Sequence, residues 1–164
     1  MRRWVIGIVI SALLLTGCQA NASEVSEDLF DYQGSYVGDN SAVVRAIMNG
    51  KGAENFTGVE LQTKEEPYGV IATYDWTEAE GNSEEVTIHN ASYLFTLIQN
   101  ADWVRFEFET MGEEETYELT REELQAWYGV GWNDIDNEEE LNELIEESTG
   151  DEEKVKELLS GEMK

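Results

Sequence analysis

The chain has 164 residues, with 10 Lys and Arg against 36 Asp and Glu, a formal net charge of -26, one His, one Cys and one Pro. Phosphate binding runs on clusters of Lys and Arg, so this balance excludes nucleic acid as a partner and argues against a protein lying flat on anionic lipid. A single cysteine leaves no intrachain disulfide and no thiolate cluster, so stability must come from an apolar core.

Met1-Arg2-Arg3 precedes an apolar run from Trp4 to Leu15. The run is shorter than the ~20 residues a membrane-spanning helix needs, and with its basic start it reads as a secretory signal. It ends in Leu15-Thr16-Gly17-Cys18, which looks like a bacterial lipobox: the Cys18 sulfur takes a diacylglyceryl group and cleavage falls before it. Residues 1–17 are therefore expected to be a signal peptide, and residues 18–27 the lipidated cysteine and a short polar tether. Losing Arg2 and Arg3 leaves 8 basic against 36 acidic residues, a net of -28. With that charge, acyl chains on Cys18 must do the holding, at about 0.8 kcal/mol per buried methylene. The expected location is the extracytoplasmic face of the cell membrane.

The folded part is expected from about residue 28. Ser26 to Tyr32 reads as one helical turn with Ser26 as N-cap. Asp39 or Asn40 caps a helix with Val43, Val44, Ile47 and Met48 on one face, stopped by Asn49-Gly50. Val59, Leu61 and Thr63 alternate with polar residues as a strand, Glu66-Pro67-Tyr68-Gly69 reads as a type I turn, and Val70, Ala72, Tyr74 and Trp76 line one face of the returning strand. Between Glu85 and Ala101 the period becomes helical, through Ala91, Leu94, Leu97, Ile98 and Ala101. Val104, Phe106 and Phe108 then alternate with charges, Gly112-Glu113 turns the chain, and Glu115 to Leu119 completes a second hairpin. Thr120-Arg121-Glu122-Glu123 has capping-box spacing and opens a helix carrying Leu124, Trp127 and Tyr128 inward, ended by Gly129. Beyond it, Leu141, Leu144 and Ile145, then Val155, Leu158 and Leu159, mark two acidic surface helices around Thr149-Gly150.

This order predicts an α+β fold: an antiparallel sheet of about four strands, in two hairpins, covered by helices. The domain is expected over residues 28–134, with 135–164 as an acidic helical extension.

Few residues carry a chemical signal. His89 has Ser92 three residues on, but no nucleophile elbow, and reads as a solvent-facing residue at a helix start. Carboxylate pairs are too numerous to single out a dyad. Asp134 and Asp136 open a sequence like a calcium loop, but Glu139 and Ile145 stand where an EF-hand needs glycine and glutamate, so they are weak metal candidates and no cofactor is expected. Trp76, Trp103, Trp127 and Trp132 fit core packing better than a ligand platform. The remaining candidate is the loop Tyr36, Val37, Gly38, Asp39, Asn40 and Ser41, too polar for core. Either it caps the next helix over a packed Tyr36, or its helix-start amides touch a ligand.

Several segments resemble a bacterial domain of unknown function: Leu29-Phe30-Asp31-Tyr32 with Tyr36 to Ser41, Leu61 to Gly69, Asn90-Ala91 with Leu94 to Asn100, and Thr120 to Leu124 with Tyr128-Gly129. That family occurs in small predicted lipoproteins of Bacillus-like bacteria, and similar domains are fused outside the membrane to BlaR-type metallopeptidase sensors. The resemblance implies a sensory or regulatory module with an envelope protein or sensor as partner, and it brings no catalytic residues. The expected function is thus a membrane-anchored, non-catalytic binding or sensory lipoprotein, with a divalent-cation or small-ligand binder as the alternative and an enzyme third.

Overall fold

The computed structural model describes residues 28–161. Cys18, the segments on either side of it and the expected Ser26 cap lie outside the described residues. The first turn is a 3-10 helix, Leu29–Tyr32, and Asp28 caps it by accepting from the Phe30 amide at 3.0 Å.

Two hairpins follow as expected, but they join differently. Strands β1 (Phe56–Gln62) and β2 (Gly69–Asp75) pair antiparallel, as do β3 (Trp103–Glu109) and β4 (Glu114–Thr120). The sheet order is β1-β2-β3-β4, and the central pair β2·β3 is parallel, with Val70 opposite Val104 and Ala72 opposite Phe106. The sheet is therefore mostly rather than wholly antiparallel. Parallel neighbours need a crossover of a dozen or more residues, and helix α2 (Ser83–Leu97) supplies it. The loop joining β1 to β2 runs over residues 63–68, longer than the expected tight turn, and its Glu66–Pro67 peptide is cis.

One face of the sheet builds the core. Val70, Ala72, Tyr74, Val104, Phe106 and Phe108 are all fully buried there. Against them lies α2, with 12 of its 15 residues buried because α1 (Asn40–Met48) and α4 (Glu138–Thr149) cover its other sides. Seven of the buried residues are apolar, Val86, Ile88, Ala91, Tyr93, Leu94, Phe95 and Leu97, and they are spread around the helix as suits one packed on several sides. Its buried hydroxyls are satisfied within the helix: Thr87 donates to the Ser83 carbonyl, Ser92 to Ile88 and Thr96 to Ser92, at 2.7–2.8 Å.

The buried face of α1 is Ala42, Val43, Ala46 and Ile47, one residue round from the expected stripe, and Met48 is exposed. Helix α1 packs on α2, and the residues it buries include two small alanines in place of the longer methionine. Helix α3 (Arg121–Tyr128) starts with the expected capping box, Thr120 with Glu123, and ends on Gly129 at φ 72°. That left-handed conformation favours glycine. Helices α4 and α5 (Glu152–Leu159) bury Leu141 and Ile145, then Val155 and Leu158, so their apolar stripes join the core. The far face of the sheet, with Ile71, Thr73, Trp103, Arg105, Glu107 and Glu118, is partly or fully exposed.

Candidate functional site

The loop before α1 is stitched to the segment that leaves α2. Ser35 donates its amide to the Leu97 carbonyl at 3.1 Å and accepts from the Gln99 amide at 2.9 Å. Val37, fully buried, donates its amide to Asn100 Oδ1 at 2.7 Å. Asp39 is the N-cap of α1: its Oδ1 accepts from the Ser41 amide at 3.1 Å and the Ala42 amide at 3.2 Å. The helix-start amides that a ligand would need are thus taken by the chain's own carboxylate. Asn40 is the first helical residue. Gly38 is not in the positive-φ region, and Tyr36 does not pack beneath the loop but stands 58 % exposed. Removing the cap by Asp39→Ala is expected to cost about 0.5 to 2 kcal/mol, read as a shift of the urea midpoint.

Asn90 of α2 organises a second cluster. Its Nδ2 donates to the Lys51 carbonyl (2.9 Å) and to the Tyr74 hydroxyl (3.1 Å), while its Oδ1 accepts from the Lys51 amide (2.9 Å). Gly50 is needed beside it, since a Cβ there would sit 2.3 Å from Asn90 Oδ1. Burial pushes the Tyr74 hydroxyl up to about 12, with the Asn90 bond acting the other way.

His89 is inside α2, half-buried, and not at a solvent-facing helix start as expected, because the helix begins at Ser83. Its ring stacks on Tyr93 at 4.9 Å and its Nδ1 lies 3.0 Å from Asn90 Oδ1. Burial holds its pKa below the ordinary histidine value; the Asn90 bond and, at longer range, Glu85 and Glu138 oppose this, while Lys51 adds to it. The Tyr93 hydroxyl lies 3.0 Å from both Glu138 Oε1 and Asn142 Oδ1 and shares its one proton between them, which ties α2 to α4. Ser92 Oγ, already bonded to the Ile88 carbonyl, meets the Tyr128 hydroxyl at 2.6 Å. His89 and Ser92 thus bond to different partners and not to each other.

Arg121 is the residue that sequence reasoning missed. Its guanidinium donates to three main-chain carbonyls at the end of α2: Ala101 (2.7 Å), Phe95 (2.8 Å) and Ile98 (2.5 Å). These include carbonyls that the helix end would otherwise leave open. The same group lies 5.1 Å from the Phe95 ring centre and 6.0 Å from that of Trp132, and the Arg121 carbonyl accepts from Trp132 Nε1 at 3.4 Å. Burial pulls its pKa down to about 10, opposed by Asp102, so it remains a cation at neutral pH. A signal was present: Arg121 is the only basic residue between Arg105 and Lys154 and stands at the first position of a helix. The dipole there disfavours a cation, which implies another task.

Arg121 also lines an open groove of about 920 Å³, together with Glu66, Tyr68, Asp102, Trp103, Arg105 and Glu118 among others. Several of its polar groups are engaged with one another. Asp102 accepts from the Tyr68 amide at 2.6 Å, and Arg105 donates to Glu118 Oε2 from Nε (2.9 Å) and Nη2 (2.6 Å). Trp103 lies flat on Gly69, where a Cβ would come within 2.1 Å of its ring, and Arg105 stacks over it at 5.5 Å.

Asp134 and Asp136 do not converge. Asp134 Oδ2 accepts from the Gly131 amide at 3.2 Å, and the Asp136 amide donates to Glu140 at 3.0 Å. Among the described residues no three His, Cys, Asp or Glu side chains are grouped to hold a metal, and no helix is long and apolar enough to cross a membrane.

The chain matches no curated protein and no solved structure. A family profile matches residues 29–120, more than half of the chain, from the first buried leucine to the last residue of β4. The chain belongs to that family, the domain of unknown function DUF4825.

Proposed function

We propose that this chain is an extracytoplasmic lipoprotein, held to the membrane by acyl chains on Cys18, whose domain serves as a non-catalytic binding or sensory module. The observation that carries the reading is Leu15-Thr16-Gly17-Cys18 behind Met1-Arg2-Arg3 and the apolar run. The tether from Cys18 to Leu29, the first buried residue among those described, is short enough to keep the domain near the bilayer. The module reading is supported by the polar groups of α2 and Arg121, which are engaged in holding the fold. The likeness to extracytoplasmic domains fused to BlaR-type sensors in Bacillus-type bacteria favours an envelope protein or sensor as partner.

Cys18→Ala is expected to abolish metabolic labelling with palmitate and to leave an uncleaved or poorly anchored precursor. Equal labelling of variant and parent overturns the anchor. The module reading is tested separately by mild crosslinking on intact cells, where recovery of no specific partner counts against it.

A further inference from the structure

The two edges of the sheet are defended differently. An edge strand offers unpaired main-chain groups to any extended chain, and proteins blunt it with charge, proline or bulges. At one edge, β4 presents Glu114, Glu115 and Glu118, all exposed, directly after Glu113. At the other, β1 has no proline, no lysine and one charged residue, Glu60. Its single irregularity lies at its start, between Phe56 and Gly58, and leaves Gly58–Gln62 in unbroken register with β2. Among the described residues the Phe56 amide at the start of β1 donates to the Ala53 carbonyl, and Gly58–Gln62 make no main-chain hydrogen bond outside the ladder with β2. On the core side Val59 and Leu61 are only half-buried, whereas Val70 and Ala72 opposite them are fully buried. Helix α1 reaches β1 but covers its core face only in part.

We propose that the open edge of β1 is a docking site, where a partner protein adds an extended segment of alternating apolar and basic side chains as a fifth strand. Its apolar side chains would continue the core face over Val59 and Leu61, and its basic ones would face Glu60 on the other side. Charge selects this occupant. The edge is flanked by exposed Glu54, Glu65 and Glu66 on a chain of net charge -26, so a second copy meets like charge while a cationic strand meets opposite charge. The inference rests on the binding-module reading and names its contact surface.

The test uses the full-length protein in neutral detergent and a synthetic heptapeptide, Lys-Val-Lys-Val-Lys-Val-Lys, with a scrambled peptide of the same composition as control. Saturable binding is expected, with at least tenfold slower amide exchange across Gly58–Gln62 and no change along β4. Glu60→Lys is expected to weaken binding at least tenfold with an unchanged melting temperature, and Glu114→Lys on the opposite edge less than twofold. Equal binding of the scrambled peptide, protection elsewhere, no binding, or self-association of the protein through β1 each overturns the proposal. The exchange measurement on the parent chain decides even if a variant misfolds. None of these outcomes involves Cys18 or cellular crosslinking, so the docking edge can fail while the module reading stands.

Discussion

Replacing Phe106 by alanine is expected to remove about 3 to 5 kcal/mol of stability, the usual loss for a fully buried phenylalanine. Phe106 sits in the middle of β3, opposite Ala72 on one side and Tyr117 on the other, with the Tyr74 ring 6.3 Å away. The helical layer lies above it, so the vacated space cannot be refilled by solvent, and collapse is resisted by a sheet paired on both sides. Domains of this size hold about 5 to 15 kcal/mol in total, so the variant stands close to unfolding at ordinary temperature. Glu107, next in the chain, faces the uncovered side of the sheet, and Glu107→Ala is expected to change stability by no more than about 0.5 kcal/mol. Urea melts of the two variants check this, and the reverse ranking would show that the strand faces are misassigned.

The second large effect is expected at Arg121. Arg121→Ala removes three hydrogen bonds from a cation, each worth about 1.5 to 3 kcal/mol when net contributions are measured. Water entering the adjoining groove restores part of that loss, so the expected cost is about 2 to 4 kcal/mol. Arg121→Lys keeps the charge but lacks the planar fork that reaches three separate carbonyls, and should recover less than half of it. A cost for Arg121→Ala within about 0.5 kcal/mol, measured by denaturant unfolding, would mean that the end of α2 does not depend on this residue.

What was legible in the sequence was mostly local. The Asp39 cap, the Thr120 and Glu123 box, the left-handed Gly129 and both hairpins depend on residues a few positions apart, where the main chain and one side chain decide the outcome. The parallel joining of the hairpins was not read, because alternation shows which face of a strand is buried and not the direction of its neighbour. A clue existed in the helix between β2 and β3, since a connection of that length permits a parallel pair. Hydropathy points to a stripe on α1 one residue away from the buried one, because Ala42 and Ala46 weigh little by that measure although both are buried. Periodicity starts α2 only at Glu85, two residues after its true start at Ser83, and so brings His89 too near a solvent-facing helix end. Arg121 and Asn90 act through carbonyls, amides and a tyrosine far away in the sequence, and no short motif marks such contacts.

The stretch that recurs across the family and the stretch that closes the structure do not end together. The family match stops at Thr120, and the residue that seals the end of α2 is the next one, Arg121. A polypeptide cut at the family boundary keeps all four strands, yet takes the Arg121 guanidinium away from three carbonyls, of which Ile98 alone keeps a main-chain donor, the Ala101 amide. It also strips Leu124, Trp132, Ile135, Leu141, Ile145, Val155 and Leu158 from the core. In this chain the helices beyond the matched stretch are therefore part of what holds α2 in place, and not an appendage to a finished domain.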